Sequence, residues 1–181
     1  MATQYFTATS LDGYIADEHN SLSWLFEVDD DGTSERTIAE FISGVGAMCM
    51  GATTYEWIAA NEPPENWHKS YGNIPCWVFT HRTLPAIPGA NLRFVSGAVE
   101  PVHKEMAEAA GEQHIWVLGG GELAAKFADA RLLDEIIASI APVTLGSGAP
   151  VLPRRILSSR MKLVDVAQMN QFAQLRYQLA D

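Results

Sequence analysis

The sequence lacks any long apolar run; no stretch approaches the roughly 20 residues that a membrane-spanning helix requires. It opens Met1-Ala2-Thr3-Gln4-Tyr5, without the basic cluster and apolar core of a leader, so a cytoplasmic location is expected. Cysteine is scarce. Cys49 and Cys76 both sit among apolar neighbours and read as buried free thiols. Nothing resembles a metal-ligand spacing, and His19, His68, His103 and His114 are scattered, so no metal is expected. Positive charge is scarce too. Lys and Arg number 12 against 22 Asp and Glu, a formal net charge of -10. That balance argues against general binding to nucleic acid or to an anionic membrane. An anionic small ligand stays compatible with it, because a local site can be positive on an acidic protein.

What is present describes a globular chain. Apolar residues make up 48% and charged residues 19%, and 181 residues are enough for one substantial core. No internal repeat or linker divides it, so residues 1–181 are expected to form a single domain. The chain is organised around Ile115-Trp116-Val117-Leu118-Gly119-Gly120-Gly121-Glu122-Leu123. Four apolar residues read as a buried strand, and the residues from Glu122 read as a helix. A strand that ends in glycines and feeds a helix presents bare backbone N–H groups at a positive helix N-terminus. That geometry suits phosphate.

Taken in order, residues 3–9 read as a first strand ending at the Asp12-Gly13 turn. Residues 17–32 are acidic, with Asp17, Glu18, Glu27, Asp29, Asp30 and Asp31 around Trp24-Leu25-Phe26. Such a segment is either a lid or a packed surface loop. Thr33 or Ser34 can cap a helix whose apolar face is Ile38, Phe41, Ile42 and Val45. Ala47-Met48-Cys49-Met50 is a short buried strand. Gly51 follows, with Thr53 and Glu56 at capping-box spacing, a second strand–glycine–helix junction. Residues 61–75, with Pro63, Pro64, Gly72 and Pro75, read as a loop. Pro75-Cys76-Trp77-Val78-Phe79 is a buried strand that runs into Thr80-His81-Arg82, at the end where ligands collect in parallel sheets. Residues 92–95 read as another strand, and Val99, Val102 and Met106 as one helix face that Gly111 ends. After residue 131 strands dominate, with a turn-rich loop from Pro142 to Pro153 and a hairpin whose turn holds Asn170. The expected fold is α/β: a mostly parallel central sheet, an antiparallel C-terminal hairpin and helices on both faces.

Five motifs stand in one order: Ser10-Leu11-Asp12-Gly13, Met50-Gly51-Ala52-Thr53-Thr54-Tyr55, Val78-Phe79-Thr80-His81-Arg82, Val117-Leu118-Gly119-Gly120-Gly121-Glu122-Leu123 and Gly146-Ser147-Gly148-Ala149-Pro150. Together they resemble the dihydrofolate reductase-like superfamily, and more closely the reductase domain of the bifunctional riboflavin-biosynthesis deaminase/reductase. The resemblance spans essentially the whole chain and implies a three-layer α/β/α fold, about eight central strands and NADPH as cofactor.

The resemblance also implies residue roles. Gly119, Gly120, Gly121, Glu122 and Leu123 would border the pyrophosphate and nicotinamide ribose, with a cis peptide at Gly119–Gly120. Gly51, Thr53 and Thr54 would meet the pyrophosphate, and Thr80, His81 and Arg82 the adenosine ribose and its 2′-phosphate. Ala8 and Ile15 would line the nicotinamide face. Asp12 and Glu35 are the candidate catalytic acids, and Asp12 can equally be a turn former. Trp24 would close over a flat substrate or pack within its loop. Gly146 and Gly148 would border the substrate or form a plain hairpin. Two departures stand out: Ala52 replaces the arginine common in dihydrofolate reductases, and Glu122 places an acid where many have a base. NADH is therefore a rival to NADPH.

The implied activity is hydride transfer from nicotinamide C4 to a small pyrimidine- or pterin-type substrate, such as a ribosylaminopyrimidine. Dihydrofolate is the runner-up. Rival readings are a non-catalytic NADP-binding protein and a structural homodimer. A homodimer through the apolar C-terminal hairpin is compatible with the enzyme reading as well.

Overall fold

Apolar runs joined by glycine-punctuated helices build one eight-stranded sheet. The computed structural model describes residues 1–29 and 31–180; Asp30, one of the acids of the 17–32 segment, and Asp181 lie outside the described residues. The chain runs β1 (Thr3–Thr9), β2 (Tyr14–Ala16), α1 (Ser23–Phe26), α2 (Thr33–Ser43), β3 (Val45–Gly51), α3 (Ala52–Asn61), α4 (Pro64–Tyr71) and β4 (Cys76–Phe79). It continues through β5 (Leu92–Val95), α5 (Val99–Ala110), β6 (His114–Gly119), α6 (Gly121–Asp129), β7 (Glu135–Ile140) and β8 (Ala149–Pro150). The short 3₁₀ turn Ser158–Arg160 precedes the hairpin β9 (Met161–Met169) and β10 (Phe172–Leu179). Sheet order is β5-β4-β3-β6-β1-β7-β10-β9. Neighbours from β5 to β7 are parallel, while β10 is antiparallel to both β7 and β9.

Strand composition follows from coverage. β3, at the centre, is apolar on both sides because helices cover both faces. Tyr5, Trp77, Met106, Ile115, Val117 and Phe127 form the core under α5 and α6. Phe6, Met48, Met50, Ile58, Trp67 and Trp116 form the core under α3 and α4. Burying six such side chains contributes on the order of 10 kcal/mol per face before conformational entropy is charged against it. β9 lies at the sheet edge and keeps Leu163, Val164 and Val166 in solvent.

Four local expectations are corrected. The 61–75 segment holds helix α4, which Pro64 starts because its fixed φ suits a first helical turn. Trp67 and Tyr71, one turn apart, lock it down with ring centroids 4.9 Å apart. Gly32, in the left-handed region, precedes α2 as its N-cap, in place of Thr33 or Ser34. Val45 belongs to β3 and not to the face of α2. The Thr53–Glu56 capping box does not form, because Glu56 is engaged elsewhere. Helix α2 contributes no fully buried residue: Ile38 on its apolar face is 42% exposed, while half-buried Phe41 packs edge-on against Phe6 and Trp116.

Candidate active site at two uncapped helix N-termini

β3 and β6 are neighbours, so their glycine junctions meet. A Cβ built on Gly51 would stand 3.9 Å from the Gly119 carbonyl and the Gly120 nitrogen, and one on Gly119 would stand 3.1 Å from Thr54 Oγ1. The Gly119–Gly120 peptide is cis, as the resemblance implies. Gly51 and Gly120 are the N-caps of α3 and α6, and no side chain caps either helix. Two sets of first-turn N–H groups and two positive dipole ends therefore open onto one space. That space is a cavity of about 670 Å³. The structure brings Ala8, Ile15, Gly51, Thr53, Thr54, Gly119, Gly120, Gly121, Glu122 and Leu123 to its wall. Among the described residues that line it there is no Lys or Arg, so any attraction for an anion comes from backbone.

Thr80, His81 and Arg82 follow the end of β4 and lie outside this lining. Arg82 grips Glu56 of α3 with both guanidinium nitrogens, at 2.8 and 2.7 Å. Its backbone N–H donates to Thr80 Oγ1 at 3.0 Å, which fixes the bend after the strand. The acid at the start of α6 is also partnered. Arg154 lies 3.4 Å from Glu122 and holds Asp129 at 2.8 Å, so the local charge beside the glycines is partly offset.

Asp12, Gly146 and Gly148 are placed away from the cavity lining. The Asp12 carboxylate accepts from Ser10 Oγ at 2.6 Å and from the N–H groups of Gly146 at 2.7 Å and Leu145 at 3.0 Å. Those three donors, the Ser10 hydroxyl first, hold its pKa down to about 2. The contact ties the β1–β2 turn to the 142–153 loop. Gly148, at φ +139°, has its would-be Cβ 2.0 Å from the Ala16 carbonyl, so β8 can approach β2 this closely only with glycine there. Asp12→Asn is expected to lower the thermal midpoint. The deficit should be full above the ordinary carboxylate value of 3.8 and shrink as pH falls toward about 2, where the native carboxylate is itself protonated. Melting curves of both proteins across that range check it.

Trp24 is buried against Ala141, Met169 and Phe172, so it packs its own segment. Its neighbours Leu25 and Phe26 do reach the ligand space. Phe26 stacks on Trp57 of α3, with centroids 6.2 Å apart and planes at 18°. A second cavity, about 770 Å³, opens beside the first and shares Phe6, Ala8, Leu25, Ile38, Ile42 and Ser70 with it. Glu35 lines this second space, together with Lys69 of α4 and Ser139 of β7. The two carboxyl candidates are thus separated: Glu35 faces a cavity and Asp12 holds a turn.

The family model for the RibD C-terminal domain matches residues 3–175. The chain belongs to that family. The uncharacterized protein YwjB of Bacillus subtilis is 29% identical over 175 residues, spanning 97% of this chain and 96% of its own. A protein from Shewanella sp. PV-4 ascribed to riboflavin biosynthesis has a TM-score of 0.80 at 24% identity, covering 100% of both chains. Dihydrofolate reductase from Enterococcus faecalis, solved with NADP(H), gives 0.63 at 16% identity over 99% of this chain and 97% of that one. The fold is therefore dihydrofolate reductase-like, as expected.

Within this RibD C-terminal domain, sequence reasoning missed Arg154, Lys69, Ser139 and the Phe26–Trp57 pair. Arg154 and Lys69 carry no local motif; Lys69 comes from a segment read as loop, and Arg154 from just beyond the 142–153 loop. The period-two pattern of β7 does mark Ile137 and Ser139 as sharing a face, and the register places Ser139 beside Ala8. Among the described residues no group of three or more His, Cys, Asp or Glu could hold a metal ion, and no helix is long and apolar enough to cross a membrane.

Proposed function

We propose that this protein is a nicotinamide-dependent reductase, with NADPH as the cofactor and a small pyrimidine- or pterin-type ring as substrate. The observation that carries the reading is the pair of uncapped helix N-termini at Gly51 and Gly120, opening on one cavity that Ala8 also lines. The residues fit a dinucleotide: glycines bring bare backbone within reach of a pyrophosphate, and Thr53 and Thr54 add hydroxyls beside it. Ala8 and Ile15 supply a small apolar wall against which a nicotinamide ring can lie flat. Arg82, next to the mouth of α3, would turn its planar fork to the 2′-phosphate. Membership of the family and the NADP(H) carried by the Enterococcus faecalis enzyme of the same fold support this assignment.

The bound cofactor would supply a hydride. What the chain supplies is position and dryness. Ala8, Phe6 and Ile38 belong to both cavities, so a ring in the second would lie next to the nicotinamide pocket. Glu35, at the rim of the second cavity, is the carboxyl placed to relay one proton from solvent. Asp12, engaged by three donors, would serve the reaction only by holding the loop.

Titration calorimetry with NADPH and NADH tests the cofactor, and loss of reduced-nicotinamide absorbance with a panel of aminopyrimidines and pterins tests the reaction. NADPH binding followed by oxidation with one ring class is expected. No binding of either nicotinamide would sink the reading. A second reading, a non-catalytic NADP-binding protein, draws on the absence of Lys and Arg from the described lining of the first cavity. Tight NADPH binding without turnover of any ring would favour it.

The enzyme would act as a homodimer. Val166 is 60% exposed and Leu163 47%, beside half-buried Leu175 and Tyr177 on β10. A second copy laid on this half of the sheet would cover them, and Val166→Glu is expected to shift the protein toward monomer. Sedimentation of the two proteins at equal concentration decides it; an unchanged mass would retire this interface.

A further inference from the structure

The first cavity holds one charged residue, and its sign is wrong for an anion. Among the described residues that line it, Glu122 is the one Asp, Glu, Lys or Arg. It is the second residue of α6, on the turn whose N–H groups open on the same space. An acid there takes the positive end of the helix for itself and repels a phosphate beside it. Arg154 answers that charge. Its Nη2 stands 3.4 Å from the Glu122 carboxylate, and its Nε donates to Asp129 at 2.8 Å. Glu122 and Asp129 are two turns apart on α6, so they share a face, and the guanidinium lies along that face between them.

The backbone sets Arg154 in this place. β8 pairs with β2, and the chain beyond it crosses the first turn of α6 so closely that a Cβ on Gly121 would stand 2.2 Å from the Pro150 carbonyl oxygen. Arg154 follows on the same segment. Its N–H donates to the Leu152 carbonyl and its Nη1 to the Pro153 carbonyl, both at 2.8 Å, and Pro153 is itself part of the cavity wall. The shorter contact, to Asp129, anchors the guanidinium; the longer one, to Glu122, sets charge against charge. The other helix of the site repeats the pattern, with Arg82 from beyond β4 holding Glu56 of α3.

We propose that Arg154 is a positioning residue for the cofactor's diphosphate: it holds Glu122 on the flank of α6 and cancels its charge, so that the first-turn N–H groups are left to the anion. This rests on the reductase reading and adds to it a side chain that acts through Glu122 and need touch no ligand atom. The two arginines then have separate tasks. Arg82 meets the 2′-phosphate that NADPH alone carries, and Arg154 acts where NADPH and NADH are identical.

The test titrates NADPH, NADH and inorganic pyrophosphate into the unaltered protein and its variants, with melting curves to confirm that each variant is folded. Arg154→Ala should weaken all three ligands by a similar factor, about three- to tenfold, and the loss should shrink as salt rises, because an exposed acid has been unmasked. Arg154→Ala combined with Glu122→Gln should return each affinity to within about twofold of the unaltered protein, since the acid through which Arg154 acts is gone. Asp129→Asn cuts the shorter contact and leaves Glu122 paired, and it should change affinity by less than about twofold. Unchanged affinities in Arg154→Ala overturn the proposal and leave the reductase reading standing. A double variant no better than Arg154→Ala also overturns it, because Arg154 would then be a direct ligand. Asp129→Asn as damaging as Arg154→Ala overturns it too, reducing Arg154 to a tether for the 149–153 segment. An unaltered protein that binds none of the three ligands sinks the reductase reading itself, and this proposal with it.

Discussion

Gly121→Ala should cost this protein both stability and cofactor. The methyl carbon would sit 2.2 Å from the Pro150 carbonyl oxygen and 2.6 Å from that of Val151. Those are backbone atoms, and they are pinned. Tyr5 Oη, on a ring that is fully buried, donates to the Val151 carbonyl at 2.9 Å, and the Val151 N–H donates to Gly13 at 2.9 Å. The 149–153 segment cannot retreat from α6 without breaking one of these bonds. An overpacked site of this kind costs about 2–3 kcal/mol, which corresponds to roughly 5–10 °C in thermal midpoint for a chain of this length. Gly121 and Pro150 are both part of the first cavity's wall, so the same shift should weaken NADPH at least about tenfold by spoiling the N–H array. Gly51→Ala is the control. Its methyl would meet the Gly119 carbonyl and Gly120 nitrogen at 3.9 Å, ordinary contact, and stability should stay within about 1 kcal/mol. Melting curves and calorimetric titration of the two variants check both halves. A stable Gly121→Ala that binds NADPH normally would mean that the loop is softer than its hydrogen bonds imply.

This tight approach also shows what can be read from a sequence and what cannot. The glycine run after Leu118 was legible as a strand-to-helix junction, because glycines between an apolar run and a helix-forming run have few other uses. That Gly121 in particular admits no side chain was not legible. The atoms that forbid it belong to Pro150 and Val151, and they arrive only because β8 pairs with β2. The strands were readable wherever both faces or one face are buried, since burial writes a period into the residues. β3, β4 and β6 follow that pattern. Helix α4 was missed because Pro63-Pro64 is a breaker within a helix and a starter at its beginning, and the local signal does not say which. The Trp67–Tyr71 spacing carried the missing information.

The site divides in the same way. Backbone-lined parts, Gly51 to Thr54 and Gly119 to Leu123, were visible as junctions and come together as expected. Parts that depend on one side chain meeting another were not visible. Asp12 and Ser10 announce a turn, yet the two N–H donors that complete the clamp come from residues 145 and 146. Glu122 looked like an acid opposing phosphate, and its partner Arg154 lies 32 positions further on with nothing around it to mark it. Ser139 was one polar residue in an alternating strand. Its place on a cavity wall depends on residues of α2, α4 and the C-terminal hairpin, a tertiary fact that leaves no trace in β7.

Arg82 should decide which nicotinamide the protein prefers. At present its fork is satisfied by Glu56, and both side chains are well exposed, 58% and 42%. An exposed ion pair contributes about 0–1 kcal/mol, because water and salt screen it and two side chains must be held still. A bidentate contact with a phosphate dianion is worth more, about 1.5–3 kcal/mol as a charge-assisted hydrogen bond. Transfer from Glu56 to a 2′-phosphate is therefore favourable, but Glu56 remains nearby as a competitor and a repelling charge. Three variants separate these terms. Arg82→Ala should weaken NADPH by about tenfold or more and leave NADH within about twofold, erasing the preference. Glu56→Gln should do the reverse, strengthening NADPH several-fold, because it frees the guanidinium and removes an acid from its side. The double variant should behave like Arg82→Ala, since Glu56 acts on the phosphate chiefly through Arg82, and a cycle over the four proteins measures the coupling. Paired titrations with NADPH and NADH, at low and high salt, read all of it; the gap between the two cofactors should narrow as salt rises. If Arg82→Ala lowers both affinities equally, the residue supports the α3 end of the cavity and the 2′-phosphate is recognised elsewhere.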